Sequence, residues 1–206
     1  MPTTKIDFKR ELRELYAPGR TPVLVDVPEM AFVMIDGHGD PNTADSYREA
    51  IEALSTVSYT VKFAIKQGPA EIDFRVMPLE GLWWAEDPTA FSAGERSRWS
   101  WTAMIMQPEV VKADIVEEAR HEAAAKKSLP ALDLLRYERF AEGPAAQVMY
   151  VGPYHDEGPT IAVLHAFIAE QGGTLTGKHH EIYLGDPRRA APEKLKTVIR
   201  QPLARA

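Results

Sequence analysis

No cysteine occurs among the 206 residues, which excludes disulfides, thiolate nucleophiles and Cys-ligated zinc together. Long apolar runs are missing too. No stretch approaches the roughly 20 residues of a membrane helix, and the N-terminus lacks a signal-type apolar core. A cytoplasmic protein without a membrane partner is therefore expected. Nor is there a basic block: 24 Lys and Arg against 30 Asp and Glu leave a net charge of −6. Nucleic acid is not an expected partner, because phosphate contacts need a basic face. Gly37-His38-Gly39 lacks the third glycine of a dinucleotide loop, and no phosphate loop or nucleophile-elbow serine exists. The histidines His38, His121, His155 and His165 are scattered, and the neighbours His179 and His180 would point to opposite faces of a strand. Neither a metal nor a cofactor is expected.

What the chain does contain is an internal echo. Pro28-Glu29-Met30-Ala31-Phe32-Val33-Met34-Ile35-Asp36-Gly37-His38-Gly39-Asp40 matches Pro144 to Asp156, with both prolines and both aspartates at an offset of 116. Met104-Ile105-Met106-Gln107-Pro108 matches Val198-Ile199-Arg200-Gln201-Pro202 at an offset of 94. Hydrophobic residues make up 45% of the chain, enough for a core that buries about 70% of the unfolded surface.

Periodicity supplies the elements. Phe8, Leu12 and Leu15 predict an amphipathic helix over 5–16. Val23–Val27 and Met30–Asp36 read as strands broken at Pro28. Asn42 is placed to cap a helix striped by Tyr47, Ile51, Leu54, Val57, Val61 and Ile65. Strands follow at Ile72–Met77, Leu82–Ala85 and Trp99–Gln107, with the polar stretch Glu86–Arg98 as a hairpin and candidate lid. A second helix is predicted from Glu109 to Lys127, then strands at Leu135–Phe140 and Ala146–Val151. Pro159 opens a third helix that Gly172-Gly173 stops. His180–Leu184 and Leu195–Arg200 close the chain. Strand, helix, strand, strand, twice over, predicts an α+β fold: a duplicated module with antiparallel sheets and a ligand groove between two pseudo-symmetric halves. The reading is one domain over 1–206, with halves at about 23–108 and 130–203.

Chemistry concentrates in one predicted strand. Alternation puts Glu181 and Tyr183 on the same face, and it likewise pairs Trp99 with Trp101 while Trp83 and Trp84 diverge. A carboxylate in an aromatic box suits planar or cationic ligands. In apolar surroundings a carboxylate's charged form is disfavoured, which equips such a group for general acid–base work. Glu80, in Leu79-Glu80-Gly81, reads as a surface turn residue.

Several segments together resemble the GyrI-like small-molecule-binding family. They are Val25-Asp26-Val27-Pro28 through Gly39-Asp40-Pro41-Asn42, Glu80-Gly81-Leu82-Trp83-Trp84, Trp99 through Pro108, and Lys178-His179-His180-Glu181-Ile182-Tyr183-Leu184-Gly185-Asp186-Pro187 on to Gln201-Pro202. The resemblance is to a stand-alone member, because the DNA-reading helices of related regulators have no counterpart before Val23. It implies a Glu-x-Tyr strand lining an acidic, aromatic pocket for bulky and often cationic compounds. In relatives similar to cyclopropanoid cyclopropyl hydrolases it implies water addition to a strained ring. Carried onto this sequence, Glu181 and Tyr183 are the candidate catalytic residues, and Trp83, Trp84, Trp99, Trp101, Tyr150 and Tyr154 the candidate ligand contacts. Tyr150 or Tyr154 stands as an alternative to Tyr183 as partner of Glu181. A small molecule is the expected partner. A non-catalytic drug-sequestering module and a gyrase-protecting interaction protein are the rival functions, and no protein partner is indicated.

Overall fold

The computed structural model describes residues 4–87 and 94–205. Residues 88–93 of the expected Glu86–Arg98 hairpin and lid lie outside the described residues. The elements are β1 (Thr4–Ile6), α1 (Phe8–Glu11), α2 (Arg13–Tyr16), β2 (Val23–Val27), β3 (Met30–His38), α3 (Asp45–Gln67), β4 (Ile72–Phe74), β5 (Leu79–Trp84), β6 (Ser100–Gln107), α4 (Ala113–Lys126), β7 (Arg136–Phe140), β8 (Gly143–Val151), α5 (Gly158–Glu170), β9 (Gly173–Leu175), β10 (His179–Tyr183) and β11 (Lys196–Arg205). The fold is α+β with mainly antiparallel sheet pairing. Contacts divide the chain into two units.

The first unit takes residues up to Glu11, Met30–Leu79 and Trp84–Phe140. Its centre is β3, antiparallel to β6 on one side and β7 on the other, so that Met34 lies opposite both Met104 and Arg136. The predicted stripe of α3 holds at Tyr47, Leu54, Val57, Val61 and Ile65, which are buried, while Ile51 at its edge is half-buried. Fully buried side chains of this kind each stabilise by about 1.5–3 kcal/mol. The helix start differs from expectation. It begins after Ala44 with no side-chain cap, because Asn42 donates its backbone N–H and its amide to Asp40 instead. The helix predicted from Glu109 starts only at Ala113, after a turn in which the Val111 N–H donates to the Pro108 carbonyl. The strand predicted over Ile72–Met77 is the shorter β4, paired in parallel with β1.

The second unit takes Leu12–Glu29, Glu80–Trp83 and residues from Ala141 onward. Neighbouring strands run β2, β8, β11, β10, antiparallel at each step, and the 80–83 portion of β5 flanks β10. On one face α5 buries Leu164 and Ile168 against Ala146, Val148, Tyr150, Ile199 and Leu203. Pro159 sits in its first turn, as predicted.

Two expectations are corrected here. The single N-terminal helix is instead β1 followed by two short helical turns, with Leu12 non-helical between them. Each turn has its own anchor: Phe8 meets the Phe74 ring edge-on at 5.9 Å, while Leu15 and Tyr16 are buried. The repeat is real as a strand–helix–strand pattern but not at both stated offsets. Phe32 faces Met106, so offsets of 116 and 94 would set Val148 opposite Arg200. Its partner is Ile199. One of the two alignments slips by a residue, and in a strand that exchanges the two faces.

Candidate functional site

Strand β10 carries polar side chains on both faces. On one face His179, Glu181 and Tyr183 succeed each other at i, i+2 and i+4. The Tyr183 hydroxyl donates to Glu181 Oε2 at 2.8 Å, and His179 Nε2 lies 3.2 Å from Glu181 Oε1. From β5, the Trp83 indole N–H donates to the Tyr183 hydroxyl oxygen at 3.1 Å. That indole lies over Gly81, where a Cβ would stand 2.6 Å from its Nε1, so glycine makes the seat. Tyr154, in the short turn before α5, meets the Tyr183 ring edge-on at 5.4 Å. The turn is held by the Tyr150 hydroxyl, which donates to the Pro153 carbonyl at 2.9 Å. Beneath it Gly152, at φ +155°, leaves room for the Tyr150 hydroxyl, which a Cβ would approach to 2.4 Å.

The result is a carboxylate, 15% exposed at its side chain, with an aromatic group beside it made of Trp83, Tyr183 and Tyr154. A carboxylate offers about four acceptor positions, so two donors leave capacity for a water or a cationic ligand. Tyr183 has one proton, and it is committed to Glu181. Tyr154 makes no hydroxyl hydrogen bond among the described residues. Burial, reinforced by the charges of Glu157 and Glu181, pushes its phenol up to about 12, so it stays a donor at neutral pH.

On the opposite face of β10 lies a group that sequence reading missed. His180 bridges two carboxylates: Glu80 Oε2 at 3.0 Å from its Nε2, and Glu142 Oε1 at 3.0 Å from its Nδ1. Glu142 also pairs with Arg200 at 2.9 Å, and Glu80 accepts from the Tyr16 hydroxyl at 2.7 Å. Arg200 donates further to Gln147 and to the Leu15 carbonyl. Burial would strip His180 of its proton, but Glu142 and Glu80 hold its pKa up at about 9. Burial would likewise raise Glu142, yet His180 and Arg200 pull it down to about 2. Two carboxylates and two cations therefore neutralise each other inside the protein, the condition under which buried charge is tolerated. Glu80, expected at the surface, has no exposed area. Its Leu-Glu-Gly context suggested a turn, and nothing local signals partners a hundred residues away.

The remaining predicted contacts separate. Trp83, Tyr150 and Tyr154 belong to the second unit with Glu181 and Tyr183, and Tyr150 acts there by holding the turn. Trp84, Trp99 and Trp101 belong to the first unit. Trp101 is 1% exposed, seated over Gly37 and edge-on to Tyr47 at 4.9 Å, which makes it a core residue. Trp84 and Trp99 are half-buried, with the Arg96 guanidinium 5.7 Å from the Trp99 ring. Among the described residues no group of three or more His, Asp or Glu side chains is arranged to hold a metal ion, and no described helix is long and apolar enough to cross a membrane.

Residues 20–204 match the family described as GyrI-like small molecule binding domain. The chain belongs to this family. Solved structures agree with this chain over nearly its full length. A conserved, uncharacterized protein from Listeria innocua superposes with a TM-score of 0.89 at 41% identity, covering 97% of this chain and 100% of its own. A hydrolase from Listeria innocua matches at 40% identity and TM-score 0.84, with 97% and 100% covered. A further hydrolase structure from that organism matches at 40% identity and TM-score 0.87, with 98% and 100% covered. A search of curated proteins returned no match. This GyrI-like chain thus carries a small-molecule-binding domain, with Glu181 and Tyr183 joined in its β10 strand.

Proposed function

We propose that this GyrI-like protein binds bulky, planar, apolar or cationic compounds against Tyr154 and Tyr183, with the buried Trp83 fixing Tyr183 from behind, and detoxifies those with a strained cyclopropane by hydrolysis. One observation carries the reading: Glu181 is a carboxylate held by its own strand neighbours beside an aromatic wall. The full-length likeness to hydrolases from Listeria innocua supports turnover.

In the proposed reaction Glu181 accepts a proton from a water whose oxygen attacks the ring carbon. The ring C–C bond breaks and its electron pair moves into the conjugated carbonyl. The oxygen so charged takes a hydrogen bond from a tyrosine and finally the proton held by Glu181, so that the product is substrate plus one water. Tyr154 is assigned this donor role, because the Tyr183 proton is engaged by Glu181. Tyr183 keeps the carboxylate oriented, and Trp83 fixes Tyr183. General-base assistance of this kind contributes typically about 10²–10⁴-fold.

The test is incubation with a cyclopropane-bearing planar alkylator, read by mass spectrometry as a gain of one water. Wild type should convert it catalytically, and Glu181→Gln should lose about 10²-fold or more. Full activity in Glu181→Gln would end the base assignment. A second reading follows from the family's binding character: sequestration, with Glu181 as counter-ion to a cationic ligand. Calorimetric affinity for the compound with no product would favour it.

A further inference from the structure

The hydrolytic reading leaves one neighbour of Glu181 without a role. His179 is buried, with 4% of its side chain exposed, and its Nε2 is 3.2 Å from Glu181 Oε1. Tyr183 engages the other oxygen at 2.8 Å. The two partners stand two residues before and two after Glu181, so strand alternation delivers all three side chains to one face.

The terminal torsion of a glutamate is broad and nearly free. One donor on one oxygen leaves the carboxylate able to swing; a donor on each oxygen fixes its plane. The ring nitrogen facing Oε1 must carry a proton, because a bare Nε2 would set its lone pair against those of the carboxylate. Among the groups facing the ring are Glu181 on its own strand and His165 on α5. Burial lowers the pKa of His165, and the charge of His179 lowers it further.

We infer that His179 is a positioning residue for Glu181: its Nε2–H clamps Oε1 so that the carboxylate keeps Oε2 on Tyr183 and presents its remaining lone pairs to the attacking water. This rests on Glu181 acting as the base. It adds a requirement that the Glu-x-Tyr pair alone does not contain: the working unit of β10 is His179-x-Glu181-x-Tyr183, clamped from both sides. Positioning errors of about 1 Å cost on the order of 10²-fold in rate.

The experiment compares His179→Gln, whose amide N–H reaches about as far as Nε2, with His179→Met, which fills the space without a donor. His179→Asn is the second donor-deficient variant, its amide being too short to reach Oε1, and it serves if the Met variant does not fold. Thermal melts establish folding of each. With the cyclopropane alkylator as probe, kcat should fall about tenfold or more in the Met and Asn variants with KM within about twofold, and recover mostly in the Gln variant. Crystal structures give a readout that needs no turnover: without the clamp, the Glu181 carboxylate should rotate away from the Tyr183 hydroxyl. Equal kcat in the Gln and Met variants, or an unmoved carboxylate in the Met variant, overturns the inference. If wild type adds no water, or Glu181→Gln keeps full activity, the hydrolytic reading fails instead, and the crystallographic comparison still decides whether His179 clamps Glu181.

Discussion

The two faces of β10 are built from adjacent residues and solve opposite problems. His180 sits in a sealed network of two carboxylates and two cations, all within hydrogen-bond reach of protein partners. Glu181, one residue on, meets a histidine and a tyrosine among the described residues, and part of it reaches solvent. Charge that is matched on every side supports structure. Charge held in place where part of it reaches solvent keeps the capacity to act on a ligand. The contrast separates residues whose loss should unfold the protein from residues whose loss should silence it.

The sharpest way to break that contrast is to remove a matched charge. Arg200→Met leaves Glu142 buried with only His180 as counter-charge, and should cost about 3–5 kcal/mol in denaturant unfolding. Glu181→Gln should change unfolding by less than about 1 kcal/mol, because it removes a partly exposed charge and keeps the shape. Comparable losses from the two would erase the distinction. Tyr16→Phe removes one hydrogen bond to a buried carboxylate and should cost about 1.5–3 kcal/mol. Its counterpart Tyr183→Phe should spare stability and lower turnover.

Acidity gives a subtler test. The proton on His180 is held to about 9 in the folded chain against an ordinary 6.5, so its contribution is complete below pH 6.5 and is lost as pH rises through 9. Glu142 is held at about 2 against 4.5, so its contribution is present above pH 4.5 and is lost as pH falls through 2. Melting temperature should therefore form a plateau between these limits and decline on the alkaline side. A decline of the same size in a His180→Leu variant would assign it to other groups. The smallest expected effect on ligand binding comes from Gly81→Ala. Its Cβ would collide with the Trp83 indole, so affinity for a planar ligand should drop severalfold, as measured by calorimetry, and displacing the buried ring should cost about 1–3 kcal/mol of stability.

Much of this was legible in the sequence, for reasons that can be named. Tyr47, Leu54, Val61 and Ile65 announce α3 because helix burial repeats at 3.6 residues. Glu181 and Tyr183 could be set on one face because alternation is local, and the two side chains are hydrogen-bonded there. What escaped is long-range. Glu80 gives no local sign of its bonds to Tyr16 and His180, which are 64 and 100 residues away in the chain. Alternation places His179 and His180 on opposite faces of β10, but it does not reveal that each face offers a carboxylate. The break at Leu12 was hidden because Phe8, Leu12 and Leu15 satisfy helical spacing even though the chain there forms two separately anchored turns.

Trp83 has one more property. Its indole is nearly sealed from solvent at 4% exposure and its N–H is bonded to the hydroxyl that itself bonds Glu181. The emission of an indole depends on that bond and on the polarity around it, so the ring is wired to the state of the carboxylate. Trp84, Trp99 and Trp101 emit in the same spectrum, so the Trp83 signal is the difference between wild type and a Trp83→Phe variant. The protein thus carries its own optical gauge of Glu181, readable without a dye or a label.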